Sequence, residues 1–333
     1  MTTGVASSSF RDWGVGARAK PAPTLRPWPS PLGNDNEKQP SRSEGEISPA
    51  MGSMLRKLKR FLMLVLIGAA AGILLVVITI RVVENSLIYY PPRYPEGFPP
   101  VPSQIIPVED LWLTTEDGVR INAFYHPNPS SQKVLLWFHG NAENIGYDLP
   151  QMKLLAQIGV NILAVDYRGY GKSEGTPDEA GVYHDADAAY DYLVKQRQIR
   201  AQDIFIYGVS LGGAVAVNLA ARHPCGGLIV QSSFTNARAM ARRMFRIPLI
   251  EYVPKSRFDS VQDIRKVRAP ILIVHGTRDE VVPFELGQKL FAAAPEPKRF
   301  YRVERAGHND LIDVGGQSYL ACLKEFVNGP AGH

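Results

Sequence analysis

The sequence predicts an α/β fold: a mostly parallel, eight-stranded sheet with helices on both faces and a small cap insertion, preceded by a single transmembrane helix. Three observations carry that expectation. From residue 105 onward, short β-branched apolar runs alternate with segments of helical period. One run, Ile204-Phe-Ile-Tyr, enters the turn Gly208-Val-Ser210-Leu-Gly212 and then an Ala-rich helical segment ending at Arg222. Ahead of all this stand twenty residues without a charge, Phe61 to Ile80.

Composition narrows the classes. The formal charge of +5 hints at nucleic acid, but ten basic and only five acidic residues fall in 1–60. The remaining 27 of each sign cancel over 61–333, so the globular part has no basic field and no nucleic-acid partner is expected. Cys225 and Cys322 are too few for a disulfide framework or a zinc cluster and read as small hydrophobes.

Residues 1–55 are polar and rich in Pro, Ser and Gly, and read as a disordered arm. Met51 or Met54 would also serve as a start, which would leave 1–50 untranslated. Residues 56–83 read as a signal anchor. At ~1.5 Å per residue, twenty apolar residues cover the ~30 Å of a bilayer core. A buried core helix is rarely so uniformly apolar. A cleaved signal peptide has a shorter apolar region, although Ala69-Ala-Ala71 imitates its cleavage site. Arg56, Lys57, Lys59 and Arg60 precede the span, while Arg81 and Glu84 cancel after it. The amino terminus is therefore expected in the cytoplasm and the large domain on the periplasmic or other extracytoplasmic side. Residues 84–104 form a Pro/Tyr-rich linker, read either as a spacer with Tyr89, Tyr90 and Tyr94 at head-group depth or as a strap packed on the domain.

The domain spans 105–329. Its first strands, Val108–Thr115 and Val119–Tyr125, flank the hairpin signal Glu116-Asp-Gly118. Strands are expected at Val134–Phe138, Asn161–Val165, Asp203–Tyr207, Gly226–Gln231, Ile271–Val274 and Arg299–Val303. Helices are expected between and after them at Leu149–Ile158, Asp178–Arg197, Gly213–Arg222, Phe284–Ala293 and Asp310–Val327. Hairpin first and βα units after imply a mostly parallel sheet.

Strand, tight turn and helix with Ser210 at the apex form a nucleophile elbow. The serine takes a strained backbone conformation, and glycine two residues before and after it avoids collision. A serine hydroxyl needs a base, and the base needs an orienting carboxylate. Such groups gather at the carboxyl ends of strands. Asp279 follows the strand that ends at His275, and His308 follows the last strand, in the chain order Ser, Asp, His. Asp166 also ends a strand but precedes the serine, and Asp310 and Asp313 suit the capping of the last helix. His275 and His139 read as braces of their loops, and His126, His184, His223 and His333 lack a partner pattern. An acyl-transfer oxyanion needs about two N–H donors. Leu211, directly after the serine, supplies one, and the turn His139-Gly-Asn-Ala142 the other, with Asn141 the first choice and Ala142 the second.

His139-Gly-Asn-Ala, Asp166-Tyr-Arg-Gly-Tyr-Gly-Lys-Ser-Glu-Gly, the Ser210 turn, His275-Gly-Thr-Arg-Asp279 and Gly307-His308 occur in one order. Over about 85–327 the chain resembles the membrane-anchored serine hydrolases of the α/β-hydrolase superfamily typified by α/β-hydrolase domain-containing proteins 13 and 17. The resemblance implies the α/β-hydrolase fold and a Ser210–Asp279–His308 triad. The apolar span is like the anchor of the first type. The lipidated, Cys-rich amino terminus of the second type is missing, since no cysteine precedes Cys225.

Residues 234–268 break the βα rhythm with nine Lys/Arg against three Asp/Glu, interleaved with Met and aromatic residues. This cap segment reads either as a cover for an acyl chain or a support on anionic lipid, or as solvated surface helices. The activity expected is hydrolysis of carboxylic esters or thioesters through an acyl-serine, without metal or organic cofactor. The partners expected are a small acyl ester or thioester, with lipid or acylated protein as its larger forms, and membrane lipid. A peptidase or an acyltransferase would use the same triad, and a scaffold would leave all three roles idle.

Overall fold

The computed structural model describes residues 48–94, 105–245 and 250–329. The amino-terminal arm as far as residue 47, linker residues 95–104 and cap residues 246–249 lie outside the described residues. The chain divides into two compact units, 1–63 and 64–333. In the first, the chain is helical from Pro49.

Helix α1 (Pro49–Ile88) is long and apolar enough to cross a membrane, and none of its most apolar stretch is buried. It runs further than 56–83 at both ends. No proline interrupts it between Pro49 and Pro91, and Gly52 and Ser53 cost too little to end it. The first residues of the expected linker are thus its last turn.

Strands β1 (Glu109–Thr114) and β2 (Arg120–His126) form the expected antiparallel hairpin. There follow β3 (Val134–Phe138), α2 (Leu149–Leu155), β4 (Asn161–Val165), α3 (Glu179–Asp191), β5 (Ile204–Val209), α4 (Leu211–Arg222) and β6 (Gly227–Gln231). Next come α5 (Ala237–Phe245) and the short α6 (Ser260–Asp263), then β7 (Ile271–Gly276), α7 (Phe284–Ala293), β8 (Lys298–Val303) and α8 (Leu311–Asn328). The sheet order is β1-β2-β4-β3-β5-β6-β7-β8, parallel from β4 to β8. Helix α3 is capped by the Asp178 carboxylate, which accepts from Gly181 N. It ends six residues short of Arg197, where the backbone relaxes into a π-turn, Tyr192–Gln196.

Every residue of β3, β4, β5, β6 and β7 is buried, because helices cover both faces. Leu136 and Phe138 pack on one side with Val182 of α3, Val215 of α4 and Leu290 of α7. Leu135 and Trp137 pack on the other with Met152 of α2 and Leu323 of α8. Each such side chain contributes ~1.5–3 kcal/mol by leaving water. The sheet holds the carboxyl ends of β3, β5, β6, β7 and β8 in one row.

Candidate active site

The site begins at the β5–α4 junction. Ser210 sits at φ +52° and ψ −113°, a conformation that a non-glycine residue holds only under external constraint. A Cβ on Gly208 would run into the Gly212 carbonyl, and one on Gly212 into the Phe138 carbonyl. The two glycines therefore set how closely α4 approaches β5 and β3. Ser210 N donates to Gln231 O (2.9 Å), and Ser233 Oγ donates to Ser210 O (2.7 Å).

Three separate elements converge on the serine hydroxyl. His308, in the loop between β8 and α8, has Nε2 3.1 Å from Ser210 Oγ and Nδ1 2.8 Å from Asp279 Oδ2. With Nδ1–H given to the carboxylate, Nε2 is the acceptor for the serine proton. Asp279 is buried after β7. Its Oδ1 accepts from Val281 N (3.0 Å) and Val282 N (2.7 Å). Burial works to raise the Asp279 carboxyl. The hydrogen bonds from His275 and His308, the His308 charge and Val282 N–H outweigh that and hold it well below the usual carboxylate range.

His275 is fully buried, with Nε2 2.9 Å from Val282 O and 3.3 Å from Asp279 Oδ2, and it pins the loop that carries Asp279. Asp310 does not cap α8 with its side chain. Its carboxylate instead takes Gly307 N (2.6 Å), bracing the His308 loop. Asp166 is buried away from the hydroxyl and accepts from Ile145 N (2.9 Å). His126, His184 and His223 lie outside the cluster, on Pro107 O, Glu116 and Asp187 respectively, and His333 lies outside the described residues.

The turn after β3 supplies the opposite wall. Gly140 N is taken by Glu143 Oε2 (2.8 Å), and Ala142 sits at φ +60°. Among the described residues nothing accepts from the Asn141 backbone N–H. Leu211, as the first residue of α4, presents an N–H without an intrahelical partner. The Asn141 side chain points elsewhere. Its Nδ2 donates to Ile88 O (2.6 Å), and its Oδ1 accepts from Tyr90 N (3.0 Å) and Tyr170 Oη (2.7 Å). Residues 88–94 are packed on the domain: Tyr89 is 3% exposed and Gly171 N donates to Pro92 O (3.1 Å). That is the strap reading of the linker, for its described part.

A cavity of about 260 Å³ opens between these walls, lined by Gly140, Asn141, Gln151, Leu154, Ser210 and Ile312 among others. A larger cleft of about 520 Å³, at the opposite ends of the strands around Phe205 and Pro270, meets none of the three converging groups. His139, Glu143 and Asp148 bring ligand atoms within 4.8 Å of one another, the one such grouping of three among the described residues. Burial and the Glu143 charge push Asp148 up to about 8, so a proton answers for much of that charge.

Sequence reasoning missed Gln231 and Ser233, which hold the elbow from below. Gln231 Oε1 accepts from Tyr319 Oη (2.6 Å) and Tyr207 Oη (2.7 Å). Their signal was a polar Gln-Ser-Ser-Phe end to an otherwise apolar strand, beside the strand that ends at the serine.

Comparison with known proteins bears on the fold and the family. Human alpha/beta hydrolase domain-containing protein 17B is 37% identical over 227 residues, which cover 66% of this chain and 75% of that protein. The chain belongs to the α/β-hydrolase superfamily. An uncharacterized protein of Mycobacterium tuberculosis is 34% identical over 251 residues, covering 74% of this chain and 88% of that protein. The family model described as serine aminopeptidase, S33, matches residues 129–258. Among solved structures, a Pyrococcus furiosus esterase superposes with a TM-score of 0.62 at 20% identity, over 74% of this chain and 98% of its own, a likeness of fold.

Proposed function

We propose that the chain is a membrane-anchored serine hydrolase that cleaves carboxylic esters or thioesters through an acyl-Ser210 intermediate. The observation that carries this reading is the unbroken run from Ser210 Oγ to His308 (3.1 Å) to the buried Asp279 (2.8 Å) beside an open cavity. Ser210 Oγ attacks the acyl carbon and its proton passes to His308 Nε2. The acyl carbon–oxygen or carbon–sulfur bond then breaks, and the leaving alcohol or thiol takes that proton. Water repeats the sequence on the acyl-serine and releases the acid. Asp279 holds the imidazole in the tautomer that can accept the proton, and the Asn141 and Leu211 N–H groups hold the oxyanion. A small acyl ester or thioester is the substrate read for the cavity beside Ser210, with lipid or acylated protein as larger forms of the same chemistry. The arrangement of residues 56–83 as signal anchor, amino terminus in the cytoplasm and domain outside it, rests on the basic residues before the span.

A fluorophosphonate probe should label Ser210 in the folded chain and leave Ser210→Ala unlabelled; equal labelling of both would overturn the reading. The serine-aminopeptidase description of the matching family model favours a second reading, cleavage of amides by the same groups. A panel of p-nitrophenyl esters, acyl-thioesters and aminoacyl amides separates the two, and product analysis with added alcohol detects acyl transfer.

A further inference from the structure

We propose that the outer face of α5 and the following turn Ile250–Tyr252 is a second membrane contact, one that takes anionic lipid head groups beside the exit of α1 from the bilayer. It rests on the reading of α1 as a membrane anchor. The uncharged run ends at Ile80, and four residues at ~1.5 Å each put Glu84 ~6 Å beyond it. A bilayer of ~40–45 Å with a ~30 Å core leaves ~5–8 Å of head group on each side. Glu84 therefore lies at head-group depth.

At that depth the domain is clamped to the helix. Glu84 is 5% exposed, and its two carboxylate oxygens accept from Lys255 N (2.7 Å) and Ser256 N (2.6 Å). Tyr89 packs edge-on against Phe258 at 6.4 Å. Ala237 N, at the start of α5, donates to Arg257 O (2.8 Å), so the helix is stitched to the same clamped segment.

The surface so positioned has the wrong character for water alone. Ala241 of α5 is buried and Met240 packs on the core. The outward residues are Arg238, Arg242, Arg243, Met244 and Phe245, and Tyr252 joins them from the turn. Met244 is 59% exposed and Tyr252 60%. The Arg238 guanidinium lies 5.6 Å over the Tyr252 ring, and Arg242 pairs with Glu251 (2.8 Å). Arg243 has no ion pair among the described residues. Cations mixed with exposed apolar and aromatic groups match an anionic interface, where apolar area and charge add.

The test uses the full chain reconstituted in vesicles of phosphatidylcholine, alone or with about 30% phosphatidylglycerol, whose acyl chains carry bromine near the head group. Met244→Trp and, separately, Tyr252→Trp report contact, with the wild-type emission as baseline. The expected result is at least ~2-fold quenching of the added emission in the anionic vesicles, most of it lost in neutral vesicles, in high salt or when Arg238, Arg242 and Arg243 are changed to Glu. A chain that floats with vesicles while neither tryptophan is quenched overturns this inference and leaves the anchor standing; a blue-shifted but unquenched emission does the same and assigns the face to a second protein copy. Equal quenching in neutral and anionic vesicles overturns the lipid-charge preference. A chain that fails to float overturns the anchor and this inference together.

Discussion

At Asp279 two backbone N–H groups and two imidazoles meet one carboxylate. Its pKa is depressed, so the stability it adds is present above the unfolded value of ~3.9 and is lost as pH falls through its lower folded value. The pair with His308 should therefore outlast ordinary surface carboxylates on acidification. Asp279→Asn keeps the shape but favours the wrong imidazole tautomer. In the hydrolase reading, kcat for a p-nitrophenyl ester should fall by ~10³–10⁴ with folding retained, as circular dichroism would verify. The three converging residues were legible because each follows the end of an expected strand, and parallel strands bring such ends to one edge. The direction of the Asn141 side chain was not legible, since its partners lie 51 and 53 residues earlier and 29 later. The use of Asp310 was also hidden, because a loop brace and a helix cap call for the same residue type at the same place.

Elements meet without slack at the elbow. Gly212→Ala would force α4 away from the Phe138 carbonyl, and thermal unfolding should register a loss of about 3 kcal/mol or more. Beneath it, Gln231→Leu leaves the buried Tyr207 and Tyr319 hydroxyls without their shared acceptor, at a cost of ~1–3 kcal/mol in denaturant titration. The start of α2 offers a test with the opposite sign. Asp148 is raised to about 8, so the folded chain holds a proton that the unfolded chain releases near ~3.9. Stability should fall as pH rises from ~4 to ~8, and Asp148→Asn should raise Tm more at pH 8 than at pH 5. Element identity was legible throughout the sheet because period and punctuation agreed. Ends were less so: α1 overran its expected limits where no proline stopped it, and α3 closed early in a π-turn that leaves no mark in composition.

On the scale of the whole molecule, a long apolar helix leads into an α/β-hydrolase fold among the described residues. In the anchored reading, the chain should stay in the pellet after carbonate extraction and move to the supernatant when residues 61–80 are deleted. In sealed spheroplasts, protease added outside should cut the domain; full protection would reverse the orientation. The fold class was legible because the hairpin and the βα units each fix a strand direction. The relation between helix and active site was not, because a Pro-rich connector conceals where it is fastened. That fastening matters for anyone who trims the enzyme to make it tractable. The Ile88 carbonyl and the Tyr90 N–H are fixed points for the Asn141 turn, which lines the same cavity as Ser210. In the hydrolase reading, a shortened chain starting beyond residue 94 would keep Ser210, Asp279 and His308 yet lose the braces of the Asn141 turn proposed to hold the oxyanion, and a low rate would be an artefact of the cut. Shortened versions should retain the last two turns of α1.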